Sequence, residues 1–222
     1  GAFVCGADCP LPALQAAADR RGALLVPTEP LSFVDDPVLA ENLAIAREAV
    51  LRAGAPPDRV EDAVRAIAAR GSGSPVRRLQ VGGGEVALVD AFSANDPVST
   101  ERLLAWVLRA HGPALPRPWV ALLNARADRP LRTVAFAAGL ARTEFFDAIA
   151  VTGSGGPLAR RRLKSARTPV PVFGVAGRDP ERLLAAVAAG AGARSFTLFG
   201  LGNHRGAGEA LRRHFAGGAP CC

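Results

Sequence analysis

Three stretches of the chain gather groups that can do chemistry. Residues 86–100 run from an apolar strand-length segment into Asp90, Asn95, Asp96, Ser99 and Thr100, which supply two carboxylates, an amide and two hydroxyls. Such a set suits a metal-bound phosphate or a ribose; equally, Asp96 or Ser99 can serve only to cap the helix that follows. Residues 120–132 deliver Asn124, Arg126, Asp128, Arg129 and Arg132 at the end of a second apolar run. Guanidinium forks pair with carboxylates or phosphates, and a helix opening near Pro130 favours the same anions. The alternative is an Arg–Asp cluster that staples a loop. Residues 196–206 carry Gly200, Gly202, Asn203 and His204. Their Gly-x-Gly-x-x-x-Gly spacing departs from the dinucleotide fingerprint, and His204 is either an acid–base group or an exposed loop residue.

Other motifs are less telling. Gly153-Ser154-Gly155-Gly156 either cradles a phosphate or makes a plain turn, the reading preferred here, and Arg160-Arg161-Arg162 reads as a solvated helix face. No Gly-x-Ser-x-Gly elbow is present. The sole lysine, Lys164, has no glycine directly before it, which excludes a Gly-Lys-Ser/Thr phosphate loop from this sequence.

The elements that must position these groups follow from hydrophobic patterning. Strands are expected near 86–90, 119–124, 146–151, 170–174 and 195–200, with helices near 99–111, 131–142, 156–165, 179–191 and 206–215. Such alternation predicts a parallel sheet with helices on both faces. Upstream, strands at 2–5 and 23–26, the latter stopping at Pro27, accompany helices at 10–20, 38–53 and 59–69 and read as the closing part of an α/β unit. The segment Gly71-Ser72-Gly73-Ser74-Pro75 marks the boundary, with a hinge over 71–80.

Composition sets outer limits. The 222 residues are 49% apolar, ample for a packed core. The net charge of +7 rests almost wholly on arginine in a chain without Tyr or Met, a skew typical of high-GC coding. No basic run is interleaved with aromatics, so nucleic acid is not an expected partner. Cys5, Cys9, Cys221 and Cys222, with His111, His204 and His214 scattered, predict reduced thiols and no metal site. No run reaches membrane-span length. The chain starts at Gly1 on what reads as a buried strand, so further residues are expected upstream.

Taken together, residues 89–100, 124–132 and 199–203 resemble, in order and spacing, the C-terminal half of the ATP-dependent ligase subunit of poly-γ-glutamate synthase, a relative of the Mur ligases. Asn42-Leu43-Ala44-Ile45-Ala46, with Gly54 closing its helix, resembles the Asn-bearing helix at the end of that family's central ATPase domain. The resemblance implies an α/β chain: residues 1–70 as the tail of the central domain, and residues 81–222 as a Rossmann-like C-terminal domain with a mostly parallel sheet. It implies ATP and Mg²⁺ as cofactors, and a carboxylate activated as an acyl phosphate and attacked by the amine of glutamate. Asp90, Asn95 and Asp96 would be catalytic, although Mur ligases usually carry His-x-Pro where this chain has Asn95-Asp96-Pro97. Asn42, Arg77 and Asp90 would bind the nucleotide. Asn124, Arg126, Asp128, Arg129, Arg132, Gly200, Gly202 and Asn203 would bind glutamate or the poly-γ-glutamate chain. The P-loop half, the metal carboxylates and a membrane segment would precede this part. The whole protein would then sit with other membrane subunits at the cytoplasmic face, this portion being soluble. The competing readings are a non-catalytic nucleotide- or acidic-peptide-binding module and a Mur- or folylpolyglutamate-type ligase with another acceptor.

Overall fold

Near-continuous apolar runs such as Val86–Val89 and Val120–Leu123 belong to strands covered on both faces, and the chain builds its larger sheet from them. The computed structural model describes residues 1–7, 9–71, 75–94, 96–217 and 219–220, the side chains of 70, 71, 219 and 220 excepted. It divides into two units, Gly1–Gly73 and Ser74–Cys222.

The first unit contains β1 (Ala2–Gly6), α1 (Leu11–Asp19), β2 (Leu24–Thr28), α2 (Pro37–Arg52) and α3 (Pro57–Gly71). Strands β1 and β2 run parallel, joined through α1. Strand β2 continues through Pro27, opposite Cys5, where the sequence predicted a stop. A two-stranded sheet gives each strand an outer edge on which a missing N–H is tolerated. Helix α2 starts as its sequence dictates. The Asp36 carboxylate accepts from Val38 N at 2.8 Å and Leu39 N at 3.0 Å, with Pro37 in the first turn. Arg47 on α2 pairs with Glu61 on α3.

The second unit contains β3 (Val76–Val81), β4 (Gly84–Asp90), α4 (Pro97–His111), β5 (Trp119–Asn124), α5 (Pro130–Leu140), β6 (Ala148–Thr152), α6 (Gly156–Ser165), β7 (Val172–Gly174), α7 (Pro180–Ala191), β8 (Phe196–Gly202), α8 (Ala207–Phe215) and β9 (Ala219–Pro220). The sheet order is β7-β6-β5-β8-β4-β3-β9. Its five strands from β7 to β4 are parallel, and β3 and β9 extend it antiparallel. The expected mostly parallel α/β sheet is present.

Within the stretch expected as a hinge over 71–80, residues Val76–Val81 form a sheet strand. Gly82 and Gly83 adopt positive φ (57° and 78°), the backbone of a two-residue hairpin turn, and pair Val81 with Gly84. Short alternation and two arginines hid this strand from the hydrophobic pattern.

Side chains alternate across the sheet. Val86, Leu88, Val120, Leu122, Phe196 and Leu198 pack with Leu183 and Leu184 of α7 and Leu211 and Phe215 of α8. Each such side chain contributes roughly 1.5–3 kcal/mol by its burial. Strand β8 enters between β5 and β4 after the chain has travelled out to β7. The loops leaving β5 and β8 therefore feed different helical layers and open a crevice beyond the carboxyl ends of the strands.

Candidate functional site

At the end of β4, Asp90 lies beside Arg212 of α8, with Nε to Oδ2 at 2.7 Å. Its other oxygen, Oδ1, is buried without a hydrogen-bond partner among the described residues. Burial raises its pKa above the ordinary carboxylate value, and the Arg212 charge, the Phe92 N–H and the more distant Arg77 charge offset only part of that rise. Arg77 sits in β3 opposite Leu88, half-buried. Asp96 is exposed and caps α4, accepting from Ser99 N at 2.9 Å and Ser99 Oγ at 2.7 Å. Asn95 lies outside the described residues. Asn42 is exposed on α2, in the other unit.

The end of β5 is organised by Asn124, which is buried. Its Nδ2 donates to Asn203 O at 2.5 Å and to Arg205 O at 2.8 Å, so the amide fixes the loop after β8. Two residues on, Arg126 forks onto the exposed Asp128, with Nε to Oδ1 at 2.8 Å. The guanidinium holds the Asp128 pKa below the ordinary carboxylate value. Arg126, Arg129, Arg132, Gly202 and Asn203 share one shallow depression with Asn124. Gly202 has φ +89°, and a Cβ there would lie 2.9 Å from Asn124 O, so only glycine lets the two strand ends approach this closely. Gly200 is buried within β8, under the ring of Phe92, and does not reach the cleft.

The structure opens a larger cleft next to this depression, about 680 Å³, beyond the ends of β5, β6 and β7 and the loop after β8. Four arginines line it: Arg126, Arg160, Arg178 and Arg205. Among the described residues, no aspartate or glutamate does. Gly153, Ser154 and Gly156 of the turn that leads into α6 also line it, and the N-terminus of α6 has no side-chain cap. Ser154 Oγ accepts from Ala127 N at 3.1 Å, locking this turn to the loop of Arg126. A Cβ at Gly174 would fall on the guanidinium of Arg160, which shows how closely that side chain lies over the β7 end.

Arg160, Arg178 and Arg205 carry no functional assignment from sequence, and the Gly153–Gly156 turn reads there as plain. The available signal was position. Each arginine follows the end of a parallel strand within eight residues of Thr152, Gly174 or Gly202. Strand ends are where open α/β sheets bind ligands. His204 is exposed and does not line the cleft.

A doubly wound α/β domain with a mostly parallel sheet and a crevice at its carboxyl strand ends has a Rossmann-like fold. Residues 76–218 match the family model described as the poly-gamma-glutamate synthase CapB C-terminal domain, and the chain belongs to this family. Among solved structures it is similar to the UDP-N-acetylmuramate–alanine ligase MurC of Thermotoga maritima, with 16% identity, a TM-score of 0.39, and coverage of 61% of this chain and 27% of that one. It is also similar to the murein peptide ligase mpl of Psychrobacter arcticus 273-4, with 12% identity, a TM-score of 0.46, and coverage of 82% of this chain and 37% of that one. The chain thus spans well under half the length of either ligase. No individual curated protein matches it.

Proposed function

We propose that this chain is the C-terminal portion of an ATP-dependent amide ligase that extends γ-linked polyglutamate through an acyl phosphate, and that the four-arginine cleft is its acceptor-side site. The observation that carries the reading is the cleft itself, a cavity lined by four arginines and by no acid among the described residues, in a chain of the poly-gamma-glutamate synthase family. Guanidinium groups recognise carboxylates through paired N–H donors, and they stabilise the negative charge that develops when an amine attacks an activated carboxyl carbon.

ATP with Mg²⁺ supplies the phosphoryl group that activates the carboxylate. The residues at hand fit one flank of such a nucleotide. Asp90 offers a buried, unpartnered oxygen to a hydroxyl donor, with Arg77 close by. They do not fit its phosphates, because the sequence has no Gly-Lys-Ser/Thr and the described residues include no cluster of three metal-ligating side chains. In this reading the phosphate loop and Mg²⁺ ligands belong to another part of the protein, and residues 1–70 close that ATPase domain. Asn124 positions the Arg205 loop, and Asp128 occupies the Arg126 fork until an anion displaces it. No helix among the described residues is long and apolar enough to cross a membrane, so association with membrane subunits is assigned to the rest of the assembly.

The test is glutamate-dependent ADP release and γ-linked polymer formation by the full-length protein. Arg126→Gln should lower turnover about 100-fold at an unchanged melting temperature. Wild-type turnover in that variant overturns the cleft assignment. Absence of glutamate-dependent ADP release in the wild type overturns the ligase reading and favours a binding module.

A further inference from the structure

We propose that Cys5 and Cys9 form a redox-active dithiol, closed to an intrachain disulfide by exchange with a low-molecular-weight disulfide of the glutathione class. The proposal concerns the first unit and is independent of the ligase reading.

The first argument is placement. Cys5 lies near the carboxyl end of β1, in register with Pro27 of β2, and is 8% exposed. The chain reverses directly after the strand, where Cys9 N donates to Gly6 O at 3.3 Å. That reversal returns Cys9 to the strand end, where its thiol and that of Cys5 interact. Both are free thiols. The backbone that carries Cys5 is held from two sides. Thr28 Oγ1 donates to Cys5 O at 3.1 Å, and the Glu41 carboxylate lies so close to Gly6 that a Cβ there would strike it. Cys9 is less confined. It is half-buried and stands two residues ahead of α1, whose N-terminus has no side-chain cap. A disulfide needs its two Cβ atoms within about 4.5 Å. The less confined partner is the one left to adjust to that distance.

The second argument is the difference between the two thiols. Exchange begins at a thiolate that the reagent can reach. Cys9 meets solvent, whereas Cys5 is buried. Burial, and then the neighbouring Cys9, raise the Cys5 pKa above the ordinary thiol value, which keeps Cys5 protonated in the resting pair. Cys9 is therefore the attacking thiol and Cys5 the resolving one. The Cys9 thiolate attacks one sulfur of the reagent RSSR, forming Cys9–S–S–R and releasing one RS⁻. Cys5 then gives up its proton, and its sulfur attacks Cys9 Sγ, forming the Cys5–Cys9 bond and expelling the second RS⁻. The protein loses two electrons and two protons, and the reagent is reduced to two thiols. Excess thiol reverses both steps.

The experiment uses the 222-residue chain carrying Cys221→Ser and Cys222→Ser, so that Cys5 and Cys9 are its only thiols. It is incubated with oxidised glutathione, alkylated and mapped by mass spectrometry over the tryptic peptide 1–20. Both thiols should disappear together, leaving a peptide lighter by two hydrogens that dithiothreitol restores. Adding Cys5→Ser should stop the reaction at one glutathione adduct on Cys9. Adding Cys9→Ser should slow modification at least about tenfold, because only the buried thiol remains. Circular dichroism melting reports whether each variant is folded. Glutathione adducts that persist on the parent without an intrachain bond overturn the proposal, as do disulfide-linked dimers or two thiols that stay free. Modification of the Cys9→Ser variant as fast as the parent removes the attacking role of Cys9 and overturns it as well.

Discussion

The side-chain amide of Asn124 is bound to the main-chain oxygen of Asn203, 79 residues away, at 2.5 Å, and its second N–H reaches Arg205 O at 2.8 Å. One buried amide therefore sets where the loop after β8 leaves the sheet, and with it the place of Arg205 in the cleft. Asn124→Leu keeps the approximate volume but leaves both carbonyls without their donor. The expected cost is about 2 kcal/mol of stability, together with several-fold weaker anion binding. Urea unfolding alongside titration separates the two effects.

Gly200→Ala should destabilise the protein without touching the cleft. Its Cβ would run into the Phe92 ring, and both residues are fully buried. Overpacking of this kind costs about 1–3 kcal/mol. The double variant Gly200→Ala/Phe92→Leu should recover part of the loss, read as the shift in denaturation midpoint.

Asp90 gives the stability a pH dependence of definite sign. Burial raises its folded-state pKa above the unfolded value despite Arg212 at 2.7 Å. The fold prefers the protonated form, so this contribution is fully present below about pH 3.9 and is lost as pH rises through the raised value. Arg212→Gln removes the main opposing charge and extends that loss to higher pH. Since Arg212 is 43% exposed, solvent screening limits the added destabilisation to about 1 kcal/mol at pH 7. Unfolding curves of both proteins at pH 3.5 and 7 should diverge only at the higher pH.

Asp128→Asn should strengthen anion binding. The Arg126 fork is occupied by this exposed carboxylate, and neutralising it frees the guanidinium for a ligand. Several-fold tighter anion binding is expected, with the melting temperature unchanged, because exposed ion pairs contribute little to stability. In the wild type the same release should occur on acidification. The lowered folded-state pKa keeps the pair intact above the ordinary carboxylate value and loses it as pH falls through the lowered one.

Sequence alone determined the parallel strands and their helices, because each is a local alternation of apolar and polar residues that burial enforces wherever the element lies. It also placed Asn124, Arg126, Arg129, Arg132, Gly202 and Asn203 at strand ends, since a polar break after an apolar run can be read without neighbours. For Asp96, both readings were open from sequence, and the structure shows its carboxylate capping α4. Only the tertiary structure decided strand order. Insertion of β8 between β5 and β4 makes Asn124 a neighbour of Asn203 and Arg205. The same order gathers Arg126, Arg160, Arg178 and Arg205 from four separate strand ends into one cavity. No local pattern encodes that convergence. It arises when the sheet closes its core on both faces and leaves the carboxyl ends of its central strands, with their charges, facing a common crevice.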